Sequence, residues 1–239
     1  MRWIVLGFLL SLSGLVGQTT FQEQADRLQN INAYLLDFRP AAAPDVVEKI
    51  TLEGAFDLYP QPSINTRIGA KDEPLDPPSV VPKLRGRLLL PQGWMLGGTY
   101  VPGIEFQDYK ADYISLELGY RVRIGKYDAG LRASYADGDV EGPITENGAT
   151  DEFTFSNVGF DLSVGRQFGQ FKPYLFVGQN EIETELLIEE DGALLDNEDD
   201  APYAGLGVTY IHGSWRLNFE QNFTDDYLAF ISVSAGYRF

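Results

Sequence analysis

The chain has 239 residues, no cysteine and a net charge of −17. This composition excludes a disulfide-stapled fold, a thiolate metal site and a cysteine nucleophile, and the negative charge argues against nucleic acid as a partner. The chain contains 13 tyrosines, 15 phenylalanines and 25 glycines but two methionines. Such a mixture favours strands and tight turns over packed helices.

Residues 1–17 have the pattern of a secretory signal peptide. Arg2 gives a positive start, an apolar run extends from Trp3 to Leu12, and small residues follow. The run is shorter than the roughly 20 residues of a membrane-spanning helix, so we expect cleavage between Ser13 and Thr19. The alternative is an uncleaved N-terminal anchor. A lipoprotein anchor is excluded because no cysteine follows the run.

The next segment has the period of an amphipathic helix. Apolar residues recur at steps of three and four from Phe21 to Phe38, and Pro40 ends the pattern. We assign residues 18–46 to a periplasmic helix and linker. We expect the helix to plug or narrow the periplasmic mouth of the following domain, seated near Leu89 and Met95. The predicted plug residues are Phe21, Leu28, Ile31, Leu35 and Phe38.

Residues 47–239 alternate between apolar and polar positions, as strands do. Ile114–Val122 and Val158–Val164 are clear examples, and ten such segments can be counted, with eight to twelve as the permitted range. Short connections alternate strictly with longer ones. The predicted long connections are residues 60–80, 103–111, 136–151 and 189–202. This layout predicts an all-β, antiparallel transmembrane barrel with short periplasmic turns and longer outer loops.

Charge and aromatic residues fit the same geometry. Residues 136–152 hold six acidic side chains and residues 181–200 hold ten, without a basic residue in either stretch. The acidic charge is therefore expected on one rim. Aromatic residues are expected to form two girdles, of which the one near the long loops would comprise Tyr59, Tyr100, Tyr113, Tyr135, Phe153 and Tyr227.

The C-terminal sequence Ala235-Gly236-Tyr237-Arg238-Phe239 resembles the last strand of bacterial outer-membrane β-barrel proteins. In size the chain is similar to the OmpW-like, Opa-like and OmpA-like barrels, without their internal motifs. The resemblance implies an outer-membrane location in a Gram-negative cell envelope. It also implies that Tyr237 and Phe239 form an assembly signal, with outer-membrane lipids and the barrel-assembly machinery as partners.

Inward-facing positions carry charges of both signs. In a barrel of about ten strands, buried charges are expected to pair, since an isolated buried charge is costly. The predicted lumen network comprises Glu53, Asp57, Arg85, Arg87, Glu117, Arg121, Arg132, Asp161, Arg216 and Glu220. A narrow aqueous path through the lumen is the alternative.

Catalytic chemistry has little support in the sequence. The single histidine, His212, is predicted at a periplasmic turn, and Asp225-Asp226 and the acidic loops lack the ordered spacing of a calcium loop. We therefore expect no cofactor, and a non-enzymatic barrel with a structural, surface-interaction or adhesion role, whose surface ligand is unknown. The alternatives are a narrow, porin-like channel or transporter for a small solute, and an outer-membrane hydrolase.

Overall fold

The computed structural model describes residues 21–37, 40–60, 80–106, 109–142, 144, 150–188, 192–224 and 229–239. The predicted signal peptide lies outside them. A helix, α1 (Phe21–Asp37), precedes ten strands: β1 (Thr51–Pro60), β2 (Val80–Leu89), β3 (Trp94–Phe106), β4 (Tyr109–Ile124), β5 (Tyr127–Gly142), β6 (Asp151–Gly165), β7 (Phe171–Ile188), β8 (Ala193–His212), β9 (Trp215–Thr224) and β10 (Ala229–Arg238). No described helix is long and apolar enough to cross a bilayer.

The strands close into one antiparallel barrel. Each strand pairs with its sequence neighbours, and β1 pairs with β10, with Glu53 opposite Arg238. Closure matters in lipid because it leaves no strand edge with unpaired backbone groups. The predicted ten-stranded all-β barrel is therefore confirmed.

Short turns lie at one end, the short-turn end, where the C-terminus also lies. Gly125 and Gly213 complete two of these turns with φ of 63° and 58°, a conformation that favours glycine. The opposite end is the long-loop end. Two connections predicted there as long are short, because strands continue through them: residues 107 and 108 alone separate β3 from β4, and β8 begins at Ala193.

The outward face near the short-turn end is apolar. Leu116, Phe160 and Leu175 are 61%, 58% and 59% exposed, whereas most of the alternate, inward residues are polar. This arrangement is the inverse of a water-soluble barrel and matches a barrel wall set in lipid. Aromatic pairs edge this apolar belt at the short-turn end: Trp94 with Tyr120, Phe171 with Tyr210, and Trp215 with Tyr237, with ring centroids 5.1, 5.3 and 5.1 Å apart.

Toward the long-loop end the two faces exchange polarity. On β7 the outward residues change from Leu175 and Val177 to Glu181 and Glu183, while Ile182 points inward and is buried. On β4 to β8, the last apolar outward residues before this change, counted toward the long-loop end, are Ile114, Tyr135, Val158, Val177 and Ala204. We call the part of these five strands beyond the change the projecting half, because its polar exterior and apolar interior are those of a barrel surrounded by water.

This exchange corrects the predicted girdle near the long loops. Tyr100 and Tyr135 are exposed on the outer face as expected, but Tyr113 and Phe153 point into the lumen and are each 3% exposed. Nothing is described of the Tyr59 side chain or of Tyr227. The acidic residues predicted in a loop of residues 189–202 lie largely on the paired strands β7 and β8, which form a long hairpin.

Candidate functional site

The N-terminal segment of the chain, described at residues 29–37 and 40–45, lies in the lumen. Asn30 hydrogen-bonds to Asp199 and Asn197 near the tip of the β7–β8 hairpin, each at 2.6 Å. At the other end of the segment, Asp45 pairs with Lys172 at 3.1 Å and with Arg238, close to the short turns. The segment therefore runs down the barrel from the long-loop end to the short-turn end.

Helix α1 packs in the projecting half, against β6, β7 and β8. Ile31, Ala33 and Tyr34 are buried there against inward aromatic and aliphatic side chains. The wall residues of this cluster are Tyr113, Ala136, Val140, Phe153, Phe155, Ile182 and Leu186. An apolar helix face needs apolar surface, and the projecting half is where the inner wall provides it.

The expected seat of the helix at the periplasmic mouth is therefore wrong. Leu89 and Met95 are buried near the short-turn end as predicted, but α1 lies at the opposite end of the lumen. Of the predicted plug residues, Ile31 is buried against the wall. Phe38 and the side chains of Phe21, Leu28 and Leu35 lie outside what the structure describes.

The helix ends over a polar layer. Asp37 accepts hydrogen bonds from Tyr113 Oη at 2.9 Å and Asn157 Nδ2 at 2.6 Å. Lys83 donates to the carbonyl of Leu36 and lies 4.2 Å from the centre of the Tyr113 ring. These contacts supply partners for carbonyl and carboxylate groups that the helix C-terminus brings into the lumen.

Below the helix, the segment crosses a ladder of ion pairs. Glu117 lies between Arg87, at 2.8 Å, and Arg132, at 3.4 Å, and Arg132 also pairs with Asp161 at 2.6 Å. Arg87 and Arg132 both donate to the carbonyl oxygen of Pro40, at 3.0 and 3.2 Å. The wall thus binds the segment through the same guanidinium groups that pair with its own carboxylates.

Glu220 holds the next two residues. Its carboxylate accepts from the backbone N–H groups of Ala41 and Ala42, at 3.3 and 2.7 Å. Tyr174 Oη lies 2.5 Å and Asn218 Nδ2 3.1 Å from the same carboxylate, which is fully buried. Four donors therefore stabilise this charge, which has no cation paired to it among the described residues.

Near the short turns, charges from the wall surround Asp45. Arg238 pairs with Glu53 at 2.7 Å and with Asp45, and Lys172 pairs with Asp128 and Asp45. Burial alone would raise the pKa of the Asp45 carboxyl, but Arg238 and Lys172 outweigh burial and hold that pKa below its ordinary value. The carboxylate is therefore the form that fixes the lower end of the segment.

The structure brings together most of the predicted network. Arg85 makes two hydrogen bonds to Asp57, at 2.7 and 2.9 Å. The ion pairs described above add five more predicted residues: Glu53, Arg87, Glu117, Arg132 and Asp161. Arg121 and Arg216 point inward without a described carboxylate partner. Sequence reasoning missed Asp37, at the end of α1, and Asp45, in the linker, because neither position carries a periodic signal.

Aromatic rings occupy the space beside two of the inward glycines. A Cβ on Gly205 would overlap the Phe176 ring, and one on Gly207 would overlap the Tyr174 ring. Pro44 of the segment lies 3.1 Å from the corresponding position on Gly130. Wall side chains at the level of the ion pairs are nearly inaccessible to water, with Arg87 2% and Glu220 0% exposed.

Other predicted features lie at the barrel surface. His212 is exposed at the end of β8 and its ring stacks on that of Tyr210, 6.4 Å away. Phe239 is 73% exposed, its ring lies 4.9 Å from that of Tyr237, and its N–H donates to Leu52. Among the described residues, no three histidine or acidic side chains converge as metal ligands.

Three solved structures show what this fold is similar to. The COG4313 outer membrane channel from Pseudomonas putida F1 is 10% identical, with a TM-score of 0.51, covering 85% of this chain and all of that one. The chain has the fold of the bacterial outer-membrane β-barrels. The β domain of the Bordetella autotransporter BrkA is 15% identical, with a TM-score of 0.44, over 80% of this chain and 99% of that domain.

The third is OmpT of Vibrio cholerae, in a form lacking loop L8, which is 16% identical with a TM-score of 0.33. The match covers 66% of this chain and 53% of that protein, so the chain spans about half its length. No protein-family model and no curated protein sequence matches the chain.

Proposed function

We propose that this protein is a sealed, non-enzymatic outer-membrane barrel with a structural or surface-interaction role. The observation that carries the proposal is the N-terminal segment, which occupies the lumen from Asn30 to Asp45 and is bound at each level by the wall. A barrel filled in this way has its outer surface, rather than its lumen, available for function. Export by the predicted signal peptide is part of the proposal.

The surface that we assign to interaction is the exterior of the projecting half. Its outward side chains are predominantly acidic, including Glu181, Glu183 and Glu185 on β7 and Asp196 and Glu198 on β8. With the short turns in the periplasm, as in other barrels of this fold, this acidic exterior faces the medium. Its charge favours cationic partners, such as basic peptides, and attracts them more strongly at low ionic strength.

The seal is tested by conductance in planar bilayers. The native chain is expected to give no discrete current steps, and deletion of residues 18–45 is expected to create them while the barrel stays folded. Adding a peptide of residues 18–45 back is the matched control and should close the pore. Discrete steps from the native chain, or none from the folded deletion variant, would refute the seal.

The surface role is tested separately by binding of a lysine-rich peptide to the folded protein. Binding should weaken with added salt and after the combined substitution of Glu181, Glu183 and Glu185 by glutamine. Lys126→Gln, at the short-turn end, is the control and should leave binding unchanged. Equal binding by the native protein, the triple variant and Lys126→Gln would show that the acidic exterior does not bind the peptide.

A channel for a small solute is the second candidate. It is favoured by the way the segment is held in the short-turn half, through ion pairs and hydrogen bonds to a charged wall rather than through an apolar core. If the segment left, a polar passage would remain. In that case the native chain would conduct intermittently, with steps of the size that the deletion variant shows.

A further inference from the structure

A small cavity lies at the short-turn end of the lumen, beside the last residues of the N-terminal segment. Its volume is about 20 Å³, room for one water molecule or one ion of similar size. Five cationic side chains line it (Arg85, Arg121, Lys172, Arg216 and Arg238), against two carboxylates, Asp45 and Glu53.

Three of these five cations already have carboxylate partners. Arg85 is held by Asp57 through two hydrogen bonds, Arg238 pairs with Glu53 and Asp45, and Lys172 pairs with Asp128 and Asp45. These pairs use every carboxylate that lines the cavity. Nη1 of Arg85 lies 3.8 Å from Glu53 Oε1 but makes no hydrogen bond among the described residues.

Arg121 and Arg216 are not paired in this way. Arg121 is 8% exposed, and its one described hydrogen bond, from Nη2, goes to the sulfur of Met95 at 2.8 Å. Arg216 donates from Nη1 to the carbonyls of Gly213 and Trp215, at 2.7 and 2.9 Å, and its buried Nε has no described partner. Two positive charges thus face a water-sized cavity without a carboxylate of their own.

Arg121 is buried, whereas Arg216 is half-buried. A buried charge without a counter-charge is strongly unfavourable, and a guanidinium retains its proton. We propose that the cavity binds one small inorganic anion of about the size of chloride or bromide, held by Arg121, Arg216 and Nη1 of Arg85. The anion neutralises the excess positive charge where the N-terminal segment leaves the lumen.

Bromide tests the site in the native protein without any substitution. Crystals of the full chain grown in bromide are expected to show an anomalous peak between Arg121 and Arg216. Peaks confined to surface lysines and arginines, with water alone in the cavity, would overturn the proposal. This measurement does not depend on whether any variant folds.

The unfolding temperature gives a second test. In sodium chloride or bromide the native protein should unfold at a higher temperature than in sodium gluconate of equal ionic strength, because a ligand bound only by the folded state stabilises it. Arg121→Met should abolish that difference, and Lys126→Gln, an exposed charge in a short turn, should retain it. The proposal fails if the native protein unfolds at the same temperature in all three salts, or if Arg121→Met keeps the difference.

Discussion

The two halves of the barrel have opposite construction. In the short-turn half, the exterior is apolar and the interior contains ion pairs around a non-helical segment, residues 40–45. In the projecting half, the exterior is acidic and the interior is an aromatic and aliphatic core around a helix. Strands β4 to β8 contribute to both halves, so the environment outside each level, lipid or water, determines which face of a strand carries the apolar residues.

The difference also explains the two conformations of the N-terminal segment, which lies against an apolar wall in one half and a charged wall in the other. Where the inner wall is apolar the segment is helical, because a helix satisfies its own backbone groups and can present an apolar face. Where the wall is charged, residues 40–45 are not helical, and backbone groups of Pro40, Ala41 and Ala42 bind the wall. Conformation and wall chemistry therefore change together.

The largest effect is expected from a break in the ion pairs of the short-turn half. Glu117→Gln leaves Arg87 and Arg132 without the carboxylate they share, and removing one partner of a buried pair costs about 3–5 kcal/mol. Glu141→Gln breaks the exposed pair with Lys110 and should cost under about 1 kcal/mol. Urea unfolding in lipid vesicles measures both free energies. Equal losses of unfolding free energy in the two variants would mean that burial does not increase the contribution of the Glu117 ion pairs.

Two phenylalanines on one strand compare the two halves directly. Phe155 is stacked in the lumen between Tyr113 and Phe153, whereas Phe160 is outward, in the lipid belt. Phe155→Ala should cost about 3 kcal/mol, because it leaves a cavity in a packed core. Phe160→Ala should cost less, since lipid fills the vacated space. Their relative unfolding free energies check this, and a larger loss for Phe160→Ala would contradict the polarity exchange.

A smaller effect is expected where the segment meets Glu220. Tyr174→Phe removes the hydroxyl that lies 2.5 Å from the carboxylate, and a hydrogen bond to a charged group contributes about 1.5–3 kcal/mol. The matched change Tyr135→Phe, on the exposed outer face, should be close to neutral. If the two variants unfold at the same urea concentration, Glu220 does not depend on Tyr174.

The smallest effect concerns acid. The pKa of Asp45 is lowered in the folded state, so its contribution is fully present above the unfolded value of 3.8 and is lost as pH falls through the lower folded value. Unfolding measured at pH 7 and pH 3 should show a smaller acid-induced loss in Asp45→Asn than in the native chain. Glu48→Gln, an exposed carboxylate in the same linker, should behave as the native chain does.

The strands and the helix could be predicted because their signals are local. Alternation in Val158–Val164 and three-to-four spacing around Ile31 depend on neighbours in the sequence. The inward positions of Glu53, Arg85 and Glu117 follow from the same alternation. The pairing of those side chains depends on register, which the alternation does not specify.

Predicting the position of the helix would have required comparing the apolar pattern of several strands. Phe153 and Phe155 occupy odd positions, whereas Val158, Phe160 and Leu162 occupy even ones, so the apolar face changes within one strand. Similar changes on β4, β5 and β7 mark the level where lipid ends. Reading them together would have placed an apolar cavity at the long-loop end. Asp37 and Asp45 offer no such signal, because their roles arise from the path of the segment.

The central claim is that the N-terminal segment enters the lumen from the long-loop end, and cross-linking tests it most directly. The chain has no cysteine, so paired cysteines can be introduced cleanly. Asn30→Cys with Asn197→Cys, whose native side chains are 2.6 Å apart, should be joined by a short bis-thiol reagent in the folded protein. Asn30→Cys with Ser214→Cys, at the short-turn end, should not. The reverse result, a cross-link to residue 214 and none to residue 197, would place the helix at the periplasmic mouth and contradict the account.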